Sequence, residues 1–210
     1  MSTPTIKNVD NCTWVELVIS HARITPYLLA CQHSLPRAIE LYTTNIEDST
    51  YLFKWLAVLE VALRNALIAS LTPKNHSGEF DPFVFVWASL ADEAKAAVKN
   101  AENRLGQTGR KLSTGAVIAE LQFGFWKRLL SNRYEAILWT PNLRFAFPAL
   151  WPQRRGTVFE AVERAGALRN RIAHHEPIFS NHLVGELLNI QQVLGWISPA
   201  ALEWAIANLE

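Results

Sequence analysis

The clearest helical pattern in the chain lies at residues 49–71, with the sequence STYLFKWLAVLEVALRNALIASL. Its large apolar side chains recur every three or four residues, which is the spacing that places them on one face of an α-helix. Ser49 is a suitable N-cap, because its hydroxyl can accept a hydrogen bond from a free backbone N–H. Pro73 ends the pattern. The stretch predicts a long amphipathic helix whose buried face carries Leu52, Trp55, Leu56, Leu59, Leu63, Leu67 and Leu71.

Helical periodicity also dominates the rest of the chain, whereas strand alternation with hairpin signals does not occur at length. Stretches of loop composition lie at 72–82 and 106–111. The pattern predicts an all-α fold, a helical bundle of about five or six main helices. Besides 49–71, the expected helices cover 13–31 with an interruption at Pro26, Pro36 to about Glu47, 83–104, Ser113 or Thr114 to about Arg133, 156–175, and Asn181 or His182 to the end.

Residues 139–153 combine three prolines with four large aromatic side chains. Proline disrupts the interior of a helix, so this stretch cannot be one regular helix. The aromatic side chains indicate a loop that packs onto the core, since large aromatic residues bury much apolar area. The residues concerned are Pro141, Pro148 and Pro152, together with Trp139, Phe145, Phe147 and Trp151.

Composition limits the class of protein. Hydrophobic residues make up 50% and charged residues 19% of the 210 residues, which favours a folded domain over a disordered chain. No uncharged apolar run is long enough for a membrane span, the N-terminus does not resemble a secretory signal, and two cysteines exclude a disulfide scaffold. We expect a cytoplasmic protein without membrane association, with an N-terminal helical appendage over 1–34 and one domain over 35–210.

The net charge of +1 conceals an uneven distribution along the chain. Residues 104–171 contain 12 Lys and Arg against 4 Asp and Glu, a net charge of +8, whereas 1–103 and 172–210 are net acidic. A basic block of this size could bind a polyanion such as a nucleic acid. Equally, it could be a solvated face that neighbouring acidic residues offset.

The densest polar cluster is LRNRIAHHEPIF, residues 168–179. Asn170 and His174 are four residues apart, so one helical face presents both, and Arg169 lies on an adjacent flank. Histidine can move a proton near neutral pH, and arginine can hold an oxyanion, which together suit chemistry at a phosphate diester. Alternatively, the histidines could simply favour the carboxyl end of the helix dipole.

A metal site is the weaker interpretation of this cluster. Adjacent histidines point apart on a helix, and the zinc deaminase signature that His174-x-Glu176 resembles needs cysteines further along the chain, where there are none. We therefore expect no metal and no cofactor.

A second polar cluster, Glu60, Arg64 and Asn65, lies on the leucine-rich helix. Glu60 and Arg64 have the i,i+4 spacing and order that favour an ion pair. A structural role for this pair is the simpler interpretation, and a supporting role beside the first cluster is the alternative.

The segment 168–179 resembles the Abi-like family of bacterial abortive-infection proteins, within the HEPN superfamily. The resemblance extends to EVALRNAL at 60–67, LQFGFW at 121–126 and W-x-P-x-L at 139–143, and covers most of residues 35–180. It implies a helical bundle that dimerises and sets two Arg-x4-His motifs near one another.

The resemblance also implies an activity, since active members are metal-independent endoribonucleases of toxin or phage-defence systems. Arg169, Asn170 and His174 match the catalytic motif. The implied supporting residues are Glu60, Arg64, Asn65, Arg171 and His175. RNA, with tRNA among the candidates, would be the substrate, the chain would form a homodimer, and an antitoxin partner is left open. The alternative is a HEPN module that binds or senses RNA or protein in phage defence without cleavage.

Overall fold

The computed structural model describes residues 13–72, 81–109, 111–180 and 182–209. All regular elements in these ranges are helical, which confirms the all-α class. No helix in them has the length and apolar character needed to cross a membrane. The α-helices are α1 (Thr13–Val18), α2 (His21–Ala30), α3 (Leu35–Leu71), α4 (Pro82–Val86), α5 (Asp92–Gln107), α6 (Thr114–Glu120), α7 (Phe123–Leu129), α8 (Arg155–Ala173), α9 (Leu183–Ile197) and α10 (Pro199–Leu209).

Helix α3 is the central element, and it packs against α2, α8, α9, α10 and the turn Leu143–Ala146. Its 37 residues correspond to a length of about 55 Å at 1.5 Å per residue. The seven apolar side chains predicted for its buried face are all at most 2% exposed, which confirms that part of the prediction.

The predicted helix start at Ser49 is wrong, because α3 continues through this position from Leu35. No proline or glycine interrupts the segment between the two predicted helices. The Thr50 hydroxyl donates to the carbonyl of Ile46 at 2.8 Å, so it bonds within the helix. Without a breaker, the N-cap signal of a single serine does not end the preceding helix.

The N-terminal helices also divide at a different place from the one predicted. The interruption lies at Ser20, which has φ 75°, and Pro26 is inside α2. The Ser20 hydroxyl accepts from the backbone N–H of Arg23 and caps the helix. Proline has no backbone N–H, so one intrahelical hydrogen bond is missing at Pro26. The helix continues through this position because α2 is also held by its packing against α3.

The predicted helix 83–104 is split at Leu90 and Ala91, both of which have extended backbone angles. The backbone N–H of Ala91 donates to the hydroxyl of Tyr134 at 3.0 Å. Leu90 is buried in the core. The break is therefore stabilised by a residue 43 positions away, which sequence periodicity cannot show.

Two further predicted helices are interrupted. The helix expected up to Arg133 begins at the predicted cap Ser113, but it ends at Glu120, whose carbonyl accepts from Arg104. The helix expected to run from Asn181 or His182 to the end divides before Pro199, and the Ser198 hydroxyl caps α10. Asn181 itself, most of the predicted loop 72–82, and residues 1–12 lie outside the described residues.

Helix α8 closely follows its prediction, since it covers Arg155–Ala173 where 156–175 was expected. The aromatic stretch 139–153 before it contains the end of a short π-helix (Glu135–Trp139) and a short 3₁₀ helix (Leu143–Ala146), but no α-helix. Trp139 and Phe147 are buried there with ring centroids 5.9 Å apart, but Phe145 and Trp151 are exposed, so the stretch packs onto the core only in part.

The core has two parts along α3. The larger part joins α3 to α5, α7, α8 and α9. The smaller part lies where α1 and α2 pack on the first turns of α3, and its buried members are Val15, Ile19, Ile24, Tyr27 and Ala38. The boundary after residue 34 stays a prediction, because α3 takes part in both.

Candidate active site

The two polar clusters, distant in sequence, meet where α3 packs against α8. The Nε atom of Arg169 on α8 lies 3.7 Å from the Oε2 atom of Glu60 on α3, and both side chains are partly buried. The predicted ion pair between Glu60 and Arg64 is wrong, because in the described residues no carboxylate lies within ion-pair distance of Arg64. Glu60 pairs with Arg169 of α8 instead.

Arg64 therefore lies on the same face of α3 as Glu60 without an anionic partner in the described structure. Its Nε atom is inaccessible to solvent and has no hydrogen-bond partner. Asn65, the next residue, is exposed. A half-buried guanidinium without a counterion favours an anion nearby, because an unpaired buried charge is costly.

The carboxyl end of α8 carries the remaining predicted residues. The backbone N–H of His174 still donates to the carbonyl of Asn170 at 3.0 Å, so the two residues share one helical face, as predicted. Both are exposed. His174 is the C-cap residue and lies beyond the last helical residue, Ala173.

His175 occupies a backbone position that usually belongs to glycine. It has φ 55°, and its N–H donates to the carbonyl of Ile172 at 2.9 Å, while the N–H of Glu176 donates to the carbonyl of Arg171 at 2.8 Å. These two bonds define a Schellman motif, in which glycine is common at the left-handed residue. A histidine there is conformationally costly, and such positions cluster at functional sites.

Arg23 of α2 ties this turn to the N-terminal helices. Its Nη1 atom donates to the carbonyl of His174 at 3.2 Å and also to the carbonyl of His175. These carbonyls directly follow the carboxyl end of α8, where the helix dipole is negative, so the arginine is favourably placed. No local pattern in the sequence relates Arg23 to the motif, so its role became visible only in the fold.

Arg171 holds the chain after the turn. It donates to the carbonyl of Pro177, and its Nε atom lies 3.9 Å from Oε2 of Glu176. The next two residues, Ile178 and Phe179, donate their N–H groups to Asn45 of α3. Arg171 is therefore a structural support of the motif.

A cavity of about 510 Å³ opens beside Arg169, between the first half of α3 and the end of α8. His175 lines this cavity together with Arg169, whereas His174 does not. Asn45 and Phe53 also line it, and neither was identified from the sequence. Phe53 was predicted on the helix of Glu60 and Asn45 on the helix before it, and neither position indicated a cavity until α8 packed against the continuous helix α3.

The aromatic and charged surroundings of the turn include Tyr27, whose hydroxyl is buried without a hydrogen-bond partner. Burial, and secondarily the neighbouring Tyr42, raises the pKa of Tyr27 to about 12. Its ring centroid lies 5.0 Å from that of Phe179 and 5.2 Å from that of Tyr42. Tyr27 is consequently a neutral packing residue that supports the chain after α8.

The basic block 104–171 is largely paired in the part of the chain that the structure describes. Seven of its twelve Lys and Arg residues lie within 4.0 Å of a carboxylate: Arg104, Lys127, Arg133, Arg155, Arg164, Arg169 and Arg171. This pairing favours the interpretation of a solvated face offset by acidic neighbours. Arg169 belongs to this paired set, and it also lines the cavity between α3 and α8.

Within the described ranges, no group of three or more His, Cys, Asp or Glu side chains is arranged to hold a metal ion. No protein-family model, curated protein or solved structure matches this chain. The resemblance to the Abi-like family therefore rests on the motifs quoted above and stays a prediction.

Proposed function

We propose that the chain is a metal-independent endoribonuclease of a toxin or abortive-infection (phage-defence) system, with a HEPN-like bundle as its fold. The observation that carries the proposal is the contact between Glu60 of α3 and Arg169 of α8, because Arg169 also lines an open cavity together with His175. Two sequence motifs more than a hundred residues apart contribute to one partly exposed polar site. A cytoplasmic location and a homodimer belong to the same proposal.

The reaction would be an attack of the RNA 2′-hydroxyl on the adjacent phosphate. A bond forms between O2′ and phosphorus, the bond from phosphorus to O5′ breaks, and the products are a 2′,3′-cyclic phosphate and a 5′-hydroxyl. His174 takes the proton from the 2′-hydroxyl, a role worth about 10²–10⁴ in rate. The 5′-oxygen takes up a proton from solvent water as it leaves, and His174 returns the proton that it accepted to solvent. DNA is not cut, because it lacks the nucleophile.

Arg169 stabilises the negative charge that builds on the phosphate oxygens, as a guanidinium can donate two parallel hydrogen bonds to them. Glu60 keeps that guanidinium directed toward the site, and Asn170 orients the histidine on its face of α8. Arg64 adds positive charge, while Arg171 supports the turn. His175 is the second candidate for proton transfer, because it shares the cavity with Arg169.

The test is incubation of the protein with total RNA and a labelled tRNA pool in excess EDTA. The parent protein is compared with Arg169→Ala, His174→Ala and His175→Ala, and with His33→Ala as a control on an exposed histidine outside the site. Cleavage that leaves cyclic-phosphate ends and is lost in Arg169→Ala and His174→Ala supports the proposal. Loss only in His175→Ala would transfer the role of His174 to its neighbour.

A second candidate function is a module that binds or senses RNA or protein without cleaving it. The observation that favours it is the pairing of Arg169 with Glu60, which already neutralises the central cation, while His174 does not line the cavity beside it. RNA binding by the parent with no cleavage at any pH between 6 and 9 would assign this function instead.

A further inference from the structure

The cavity between α3 and α8 has a feature that the proposed cleavage chemistry does not use. Asn45 is only 4% exposed, yet it lines this space. Its Oδ1 atom accepts from the N–H of Ile178 at 2.6 Å and from the N–H of Phe179 at 3.2 Å, which fixes the orientation of the amide. In the described structure, no group accepts a hydrogen bond from its Nδ2 atom. Asn45 thus lines the cavity and has a donor without a partner among the described residues.

The side of the cavity that α3 forms carries exposed apolar side chains next to polar ones. Ile46 and Phe53 are seven residues apart, so they lie on the same face of the helix, and both side chains are nearly half exposed. Ile172 of α8 contributes further apolar surface from the other side. An exposed phenylalanine ring beside branched aliphatic groups is a suitable platform for a planar ring with polar edges.

Arg169, whose guanidinium pairs with Glu60, and His175 also line the cavity. The volume of about 510 Å³ is within the range of small-molecule sites and is ample for one nucleotide. A ligand that satisfies all of these groups has a flat face, a hydrogen-bond acceptor on its edge, and an attached anion. A nucleotide has all three.

We propose that this cavity binds the base of an RNA nucleotide adjacent to the phosphate held at Arg169. The base lies against Phe53, and an acceptor on its edge takes the hydrogen bond from Nδ2 of Asn45. This inference rests on the proposed function, from which it takes RNA as the polymer. It adds the place where the enzyme contacts a base of its substrate.

Binding of the four ribonucleoside 3′-monophosphates, of the free nucleosides and of inorganic phosphate is measured by isothermal titration calorimetry. The variants are Phe53→Ala, Asn45→Asp and Arg169→Ala, with Val61→Ala as the matched control on a half-exposed side chain of α3 that does not line the cavity. Asn45→Asp keeps an oxygen for the N–H groups of Ile178 and Phe179 but removes the donor, so it preserves the fold better than alanine would.

The expected result is that nucleotides bind more tightly than phosphate. Phe53→Ala weakens nucleotide binding at least tenfold, on the order expected for a lost stacking platform, and Val61→Ala leaves it unchanged. Asn45→Asp also weakens binding of nucleotides and nucleosides, whereas Arg169→Ala affects nucleotides and phosphate but not nucleosides. Equal binding of nucleotides and phosphate, or no effect of Phe53→Ala, would overturn the base-binding cavity.

RNA cleavage by the same variants separates this inference from the proposed function. Cleavage that is insensitive to Phe53→Ala and Asn45→Asp, with no nucleotide binding in the cavity, overturns the inference and leaves the nuclease intact. Nucleotide binding with the expected variant effects but no cleavage supports the cavity and overturns the nuclease. If Phe53→Ala converts a dimer to a monomer in analytical ultracentrifugation while nucleotide binding is unchanged, a second copy covers the cavity and the inference is overturned.

Discussion

Glu60 of α3 and Arg169 of α8 form an interhelical ion pair, with 3.7 Å between the Oε2 and Nε atoms. The contact joins two motifs that look independent in the sequence. Both side chains retain some solvent access, 25% and 31% respectively, so the pair contributes about 1 kcal/mol or less to stability. Its main consequence is the direction in which the guanidinium of Arg169 points.

We expect Glu60→Gln to lower RNA cleavage by about one to two orders of magnitude, because a misdirected guanidinium loses its alignment with the phosphate. The urea midpoint should change little. Glu163→Gln is the control, since Glu163 is on the same helix as Arg169 but pairs with Lys127 of α7. Equal activity losses in both variants would show that a general change in charge, and not the position of Arg169, is responsible.

Arg23→Gln should also reduce cleavage, although Arg23 is far from the motif in sequence. Without its hydrogen bonds to the carbonyls of His174 and His175, the turn after α8 gains freedom and the histidines lose their fixed positions. Arg37→Gln, at an exposed position near the start of α3, is the matched control. Hydrogen exchange of residues 174–176 checks the cause, and unchanged exchange in Arg23→Gln would contradict it.

His175→Gly should raise the free energy of unfolding by about 1 kcal/mol, because glycine removes the Cβ penalty of a left-handed backbone. His174→Gly should instead lower it, since His174 has φ −93° and gains only flexibility. Urea denaturation of both variants measures the difference. A loss of stability in His175→Gly would mean that contacts of the imidazole outweigh the backbone strain.

The ionisation of Tyr27 should contribute to the pH dependence of stability. Its pKa is raised to about 12 by burial, whereas the unfolded chain ionises it near 10. The stability contribution of this group is therefore complete below pH 10 and is lost as the pH rises toward 12, because the unfolded state releases its proton first. The parent should lose more stability between pH 9 and pH 11 than Tyr27→Phe does.

At pH 7, Tyr27→Phe should be neutral or slightly stabilising, because it removes a buried hydroxyl that has no hydrogen-bond partner. Chemical denaturation at both pH values provides the comparison. An identical pH dependence in the parent and the variant would show that the ionised hydroxyl reaches solvent in the folded state.

The helical class and the buried face of α3 were predictable from the sequence, because the period of apolar residues is a local property. Leu52, Leu59 and Leu67 repeat at helical intervals whatever they pack against, and all three are buried. The Ser113 cap was predictable for the same reason, as it bonds only three residues away.

The positions where helices break were less predictable. The separation of α5 from the preceding turns depends on the hydroxyl of Tyr134, and the end of α6 depends on Arg104. Each partner is distant in sequence, so the local pattern continued through the break. The Ser198-Pro199 start of α10 did have a local signal, a capping hydroxyl followed by proline, which the sequence analysis did not use.

The helical class, the buried face of α3 and the shared face of Asn170 and His174 could thus be derived from the order of residues, since each depends on residues within a few turns of one another. The pairing of Glu60 with Arg169, the contact of Arg23 with a turn 151 residues away and the place of Asn45 in a cavity beside the motif followed only from the packing of the helices. The physical reason is that ion pairs, caps and cavities between helices form from side chains that only packing brings together.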